Sequence, residues 1–226
     1  MSYLLHIETA TNICSVAISE NDKLKAISEE ADMMRHSEII TLLIDKVFKK
    51  ADITVEDLAA VSLSEGPGSY TSLRVGMSAA KAICFAMDIP LISVNTLHSL
   101  YLASKRETTS ALYCPMIDAR RMEVYASLYG ANEGIFDNTP IILEEDTFEQ
   151  YLSGYEKIVF SGNGSDKAKK LYQTSKYVFS EIKCSAENLI KPAYEKFQNK
   201  EFVDLAYFSP NYIKPPNITT PKPIKL

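Results

Sequence analysis

The sequence is poor in the residues that most metal and redox sites use. It holds three histidines and four cysteines in 226 residues. No two cysteines form a CxxC pair, which argues against a zinc knuckle or a redox dithiol. No two histidines stand at HxxxH spacing. A metal bound by a single histidine or cysteine would need further ligands, and the sequence spacing indicates none. We therefore expect buried, reduced thiols and no metal.

Basic charge and long apolar runs are missing as well. The net charge of −5 argues against a protein that binds nucleic acid alone through a broad basic face. If RNA is involved, a partner has to supply the positive surface. No apolar run approaches the length of a membrane span, and the first twelve residues lack a basic segment followed by a long apolar one. We expect a cytoplasmic protein without membrane contact.

The chain has few glycines, and several of them lie close together in one stretch. Three of the eight glycines, Gly66, Gly68 and Gly76, fall within residues 64–76. This stretch follows an apolar, strand-like run and precedes a helical one. Gly66 and Gly68 flank Pro67, which predicts a tight strand-to-helix turn with positive φ angles on both sides of the proline. The string matches neither GxxxxGK followed by Ser or Thr nor GxGxxG, so neither nucleotide fingerprint applies.

The helix that follows this turn begins with residues that can cap it. Ser69 or Thr71 can accept a backbone hydrogen bond and leave free N–H groups at the helix start. Such an N-terminus attracts anions. Two interpretations stay open, a cradle for a phosphate or carboxylate, and a turn that needs glycine only for its geometry.

Residues 36–50 have the apolar spacing of a helix with an unusually wide face. One stripe consists of Ile39, Leu43 and Val47, and a second runs beside it through Ile40, Ile44 and Phe48. The combined face exceeds the roughly 100° that a helix needs to cover a core on one side. The surplus requires a second contact, from this chain or from another protein. The helix after the glycine-rich turn carries small residues that allow close approach of another helix.

Two local patterns occur twice in the same order. A pair of strand-like runs joined by a turn with an acidic residue appears around Glu8 and again around Asp118. Each pair is followed by a strand, a GxGS string and a helical run, at Gly66 and at Gly162. This internal symmetry predicts two lobes of related build.

We place the lobe boundaries at residues 1–104 and 105–213, and the last helix can pack back on the first lobe. Residues 214–226 hold four prolines and three lysines and predict an extended tail. That tail either binds in polyproline-like form or is an unstructured terminus.

The repeated order resembles the actin-like ATPase fold (ASKHA, ribonuclease H-like) shared with sugar kinases and Hsp70. Four separate motifs further resemble the TsaB (YeaZ) family: LLHIETATNICSVAI from Leu4, RHSE from Arg35, GPGSYTSLRVGMSAAKA from Gly66 and DARRMEVYASLY from Asp118. The resemblance implies an α/β protein with a duplicated actin-like two-lobe fold, in which mixed sheets are flanked by helices.

The resemblance also implies a non-catalytic accessory subunit. TsaB proteins pair with the catalytic paralogue TsaD, which carries metal-binding histidines and transfers threonylcarbamoyl to adenosine 37 of tRNA, forming t6A. The ATPase TsaE joins that pair, tRNA is reached only through the complex, and a homodimer is expected when the partner is absent. The competing hypothesis is an ATP-dependent phosphotransferase or ATPase that uses Glu8 or Asp118. A metallopeptidase is a third hypothesis.

The resemblance points to two sets of residues. The partner interface is predicted on two helices, at His36, Ile39, Ile40, Leu43, Ile44, Val47, Tyr70, Leu73, Arg74, Met77, Ala80, Lys81 and Cys84. A weak nucleotide or anion site is predicted at Glu8, Thr9, Thr11, Gly66, Gly68 and Ser69. Glu8 stands where the family usually has aspartate, and its longer side chain would crowd a metal–phosphate site. We therefore expect no catalytic residue and no cofactor, with ATP or ADP only at the interface shared with the partner.

Overall fold

The computed structural model describes residues 1–31, 35–105, 110–130 and 134–215. In chain order the strands and helices are β1 (Tyr3–Glu8), β2 (Ile13–Glu20), β3 (Lys23–Ala31), α1 (His36–Ala51), β4 (Leu58–Gly66), α2 (Tyr70–Met87), β5 (Leu91–Asn95), α3 (Thr96–Ser104), β6 (Ala111–Asp118), β7 (Glu123–Tyr129), β8 (Gly134–Ile142), β9 (Lys157–Ser161), α4 (Ser165–Leu171), β10 (Tyr177–Phe179) and α5 (Ile190–Gln198). Short 3₁₀ turns lie at Val55–Asp57, Glu149–Leu152 and Ala186–Leu189.

The strands form two sheets with the same plan. The first has the order β3-β2-β1-β4-β5 and the second the order β10-β9-β6-β7-β8. In each sheet the first three strands in sequence are antiparallel, and the remaining two add in parallel on the other side. Strand β6 thus repeats the role of β1, and β9 that of β4. The predicted duplication is confirmed at the level of sheet topology.

The first sheet, with α1 and α2, forms lobe 1 and is covered on both faces. Leu5, Ile7 and their neighbours pack against α1 and α2 on one face. On the other face Leu4 and Ile92 pack against Leu189 and Ala193, which belong to the 3₁₀ turn at Ala186–Leu189 and to α5. Residues far along the chain therefore return to complete lobe 1.

Lobe 2 consists of the second sheet with α4. Its core is strongly aromatic, since Phe148, Phe160 and Tyr172 are packed together within it. Helix α3 connects the two sheets and packs between them, where Leu97 and Leu100 contact Ile117 of β6.

The C-terminal segment, residues 201–215, runs along lobe 1 and then crosses to lobe 2. Val203 forms an antiparallel bridge with Leu91, so the outer edge of β5 is partly paired. The Asn211 N–H donates to the Glu65 carbonyl at 2.7 Å. The Lys214 ammonium is paired with the Glu123 carboxylate of β7. Of the predicted tail, Lys214 and Pro215 belong to this segment, and residues 216–226 lie outside the described residues.

Within the four described ranges, no helix is both long enough and apolar enough to cross a lipid bilayer.

Candidate functional site

The glycine-rich turn is shaped by its contact with the first hairpin. Gly66 has φ +114°, as expected, whereas Gly68 is not among the residues with positive φ. A Cβ atom on Gly68 would lie 2.6 Å from the Ala10 carbonyl oxygen. The Ser69 N–H donates to that same oxygen at 2.7 Å. The predicted reason for Gly68 is therefore wrong, because close approach to Ala10 requires the glycine and backbone rotation does not.

We expect Gly68→Ala to destabilise the protein by about 1–3 kcal/mol, the usual cost of forcing an extra methyl group into a packed site. Urea unfolding monitored by circular dichroism measures it. Gly134→Ala is the matched control, because its added Cβ would meet atoms only at 3.8 Å. Equal free energies of unfolding for the two variants would contradict this account.

Glu8 points into lobe 1 and is completely buried. Its Oε1 accepts hydrogen bonds from the Ala10 N–H at 2.6 Å and from the Ser64 hydroxyl at 2.8 Å. Its Oε2 is buried without a hydrogen-bond partner among the described residues. Burial raises the pKa of this carboxyl to about 7, because desolvation penalises the charged form more than these hydrogen bonds favour it.

A cleft of about 780 Å³ lies where the two lobes face each other. Of the predicted anion-site residues, Thr11, Gly68 and Ser69 line it, whereas Glu8, Thr9 and Gly66 do not. Lobe 2 contributes residues that the sequence had not singled out as site residues, and so does the C-terminal segment: Arg120, Arg121, Asn163, Lys167, Tyr212 and Lys214. They come from three separate stretches of the chain, residues 120–121, 163–167 and 212–214, and no single short motif contains all three.

The acidic side chains of the two hairpin turns each accept hydrogen bonds from within the chain. Glu8 is buried and does not line the cleft. Asp118 lines the cleft, but its Oδ1 accepts from the Arg120 N–H at 2.6 Å and from the Lys167 ammonium at 2.8 Å. One oxygen of each carboxylate is therefore engaged within the chain, whereas Glu8 Oε2 has no partner among the described residues. Groups of three or more side chains able to hold a metal ion do not occur in the described part of the chain.

Most side chains predicted for the partner interface are buried in the core of lobe 1. These are His36, Ile39, Ile40, Leu43, Val47, Leu73, Met77, Ala80 and Cys84. Ile44, Tyr70 and Lys81 are half-buried, and Arg74 is exposed. The helices form as predicted, but the apolar stripes read from the sequence face inward. The second stripe of α1 packs within lobe 1, where Ile44 and Phe48 join the same core as Val75 and Ala79 of α2.

Apart from Arg74, the outward surface of the two helices carries residues that were not predicted for the interface. On α1 the Leu42 side chain is 64% exposed, and on α2 Phe85 is 83% exposed. Arg74, Ser78 and Ala82 lie on the same exposed side of α2 as Phe85. We call these five residues the outer helix face. Each helix thus exposes one large apolar side chain, and on α2 small residues lie beside it.

The two like sheets with a cleft between them define a duplicated actin-like α/β protein, as the sequence predicted. "YeaZ from Pseudomonas aeruginosa" has the same fold, with a TM-score of 0.77 at 22% identity over 94% of this chain and all of that one. Residues 27–221 match the family described as "TsaD: tRNA N6-adenosine threonylcarbamoyltransferase". The chain belongs to this family.

Two kinds of related protein match this chain, and the match covers a different fraction of each. The "tRNA threonylcarbamoyladenosine biosynthesis protein TsaB" of Bacillus subtilis is 24% identical, over 93% of this chain and 93% of that protein. A "tRNA N6-adenosine threonylcarbamoyltransferase" of Bacillus thuringiensis (strain Al Hakam) is 30% identical, over 57% of this chain but only 38% of the transferase. The resemblance to TsaB is thus confirmed over nearly the full length.

Proposed function

We propose that this chain is a non-catalytic accessory subunit for N6-threonylcarbamoylation of adenosine 37 in tRNA. The observation that carries the proposal is the match to the protein named TsaB, which spans 93% of both chains. The match to the transferase leaves more than half of that enzyme without a counterpart here. A chain of this size then supplies a binding surface, and the transferase supplies the chemistry.

The partner is, by this proposal, a TsaD-type subunit that docks on the outer helix face. Phe85 and Leu42 expose apolar area there that a second protein can cover. A TsaE-type ATPase joins the pair, and a second copy of this chain occupies the face when the partner is absent. With one oxygen of Glu8 and one of Asp118 engaged within the chain, the proposal places a nucleotide only at the interface shared with the partner.

Reconstituted tRNA modification tests the proposal. The TsaD-type and TsaE-type proteins of the same organism are mixed with threonylcarbamoyl-adenylate and tRNA, with and without this chain, and modified adenosine is measured. We expect product only when the chain is present. Equal product in its absence would contradict the proposed function. The chain would then resemble TsaB in fold only, and the ATP-dependent enzyme would become the leading hypothesis.

A further inference from the structure

The end of the C-terminal segment, residues 211–215, lies along the cleft between the two lobes. We call these residues the strap, and all of them line the cleft. Outside the cleft, the lobes meet in a small apolar cluster around α3 and through a hydrogen bond from the Asn95 amide to Asn138 Oδ1 at 3.0 Å. Two lobes with so small a common interface are expected to move relative to each other. Contacts across the cleft therefore decide how far it opens.

The first residues of the strap are attached to lobe 1 at the glycine-rich turn. The Asn211 N–H donates to the Glu65 carbonyl at 2.7 Å. A Cβ atom on Gly66 would lie 2.8 Å from the Asn211 carbonyl oxygen, so the strap lies closer to this turn than a side chain there would permit. The ring of Tyr212 lies 4.5 Å from that of Tyr70. Backbone and ring contacts thus hold the strap on lobe 1 as far as Tyr212.

Two residues further on, the strap is attached to lobe 2. The Lys214 ammonium pairs with the Glu123 carboxylate of β7, and the two side chains are 44% and 23% exposed. At most about 7 Å of extended chain separates the Cα atoms of Tyr212 and Lys214. Because the strap has so little slack, lobe 2 cannot move far from lobe 1 at this edge of the cleft unless the ion pair breaks or Tyr212 leaves Tyr70.

We propose that the strap holds the two lobes together across the cleft, and that the Lys214–Glu123 ion pair is its releasable end. The ion pair is the weaker attachment, because water and salt reach both side chains, and such a pair contributes little free energy. When it breaks, lobe 2 rotates away about α3 and the cleft widens. The inference concerns this chain alone and does not rest on the proposed function.

Double electron–electron resonance between two spin labels measures how far the cleft opens. The labels are attached to Asn12→Cys on lobe 1 and to Asp166→Cys on α4 of lobe 2, two exposed positions that line the cleft. The four native cysteines are buried and should stay unlabelled. At low salt we expect one dominant distance, that of the closed cleft, when the strap is intact.

Charge changes at Lys214 should open the cleft. Lys214→Glu should raise the ratio of open to closed molecules at least about fivefold, because it replaces an attraction to Glu123 with a repulsion. Lys214→Gln only removes the attraction and should give an intermediate ratio. At about 1 M salt, where the Debye length is about 3 Å, the ratios of the three forms should converge. Lys49→Glu is the matched control, since Lys49 pairs with Asp45 at 2.7 Å within α1 and its replacement should leave the ratio unchanged.

Several outcomes would overturn the inference. Unchanged distances in both Lys214 variants, an equal shift in Lys49→Glu, or a cleft that is mainly open with the strap intact would each do so. Shorter distances in the Lys214 variants would show that the strap keeps the lobes apart, which contradicts the inference as well. Lys214 is exposed, so its variants should remain folded, and circular dichroism verifies this. Because no partner takes part, the result is independent of the tRNA modification assay.

Discussion

Glu8→Gln is expected to stabilise the protein by up to about 3 kcal/mol at pH 8, because each unit of pKa shift corresponds to about 1.4 kcal/mol. Burial raises the pKa of the Glu8 carboxyl from 4.5 to about 7. Between these two pH values the folded state keeps a proton that the unfolded state has lost, so stability falls as the pH rises. Above pH 7 the full penalty for the buried charge applies; the neutral amide removes it, less the cost of burying an NH₂ group where Oε2 has no partner among the described residues.

His6 adds the opposite dependence at acid pH. Its ring is buried between the hydroxyls of Ser62 and Ser19, at 2.7 and 2.8 Å, and burial lowers its pKa from 6.5 to about 3. Below pH 6.5 the His6 ring binds a proton in the unfolded state but not in the folded state. Stability therefore falls as the pH decreases. Between pH 4.5 and 6.5 the contributions of Glu8 and His6 therefore oppose each other.

Urea unfolding at pH 5, 6.5 and 8 distinguishes these contributions. The variant should exceed the wild type most at pH 8, and its stability should fall steadily on acidification, since only the His6 contribution is left. The exposed Glu145→Gln serves as the control and should follow the wild-type curve. Parallel curves for Glu8→Gln and the wild type would show that Glu8 has no raised pKa.

Phe85→Glu should weaken partner binding at least a hundredfold while leaving the monomer folded. A central aromatic side chain at an interface commonly contributes 2–4 kcal/mol, and a buried unpaired carboxylate adds a further penalty. The side chain is 83% exposed in the isolated chain, so the substitution disturbs no core contact. Calorimetry measures the affinity, and circular dichroism verifies the fold.

The control for this substitution carries the same charge elsewhere. Ile142→Glu lies on β8 of lobe 2, where the side chain is 64% exposed, and it should bind the partner normally. A variant such as Ile40→Glu cannot serve this purpose, because Ile40 is 3% exposed and a carboxylate there would unfold lobe 1. If Phe85→Glu bound with wild-type affinity, the outer helix face would not be the docking surface.

Helix periodicity predicted the two helices correctly. It could not show which of their faces stays exposed and is available to a partner. The stripes through Ile39 and Ile40 are apolar because they face the sheet, and this is the ordinary reason for such a stripe. Phe85 was not singled out, since it stands among small residues on the opposite side of α2. A single exposed apolar residue produces no repeating pattern in the sequence. Only the packed structure shows that Phe85 is exposed and Met77 is buried.

Strand β8 was missed for a local reason and could have been found through the repeat. The residues Asp137, Asn138 and Pro140 are typical of turns, and Asn138 indeed has φ +45° within the strand. However, β8 occupies in lobe 2 the place of β3 in lobe 1. Extending the predicted duplication by one strand would have indicated it. The contacts of Asn211 and Lys214 with residues more than ninety positions away have no such signal.

The return of the chain to lobe 1 has a consequence for its synthesis on the ribosome. All five strands of the first sheet have been made by Asn95. At that point the face around Leu4 and Ile92 has no cover, and the edge of β5 has no neighbour, because Leu189, Ala193 and Val203 have yet to be translated. Nascent lobe 1 therefore exposes apolar surface and an unpaired strand edge, the features that recruit chaperones and favour aggregation. Native lobe 1 can form only after translation has passed Val203.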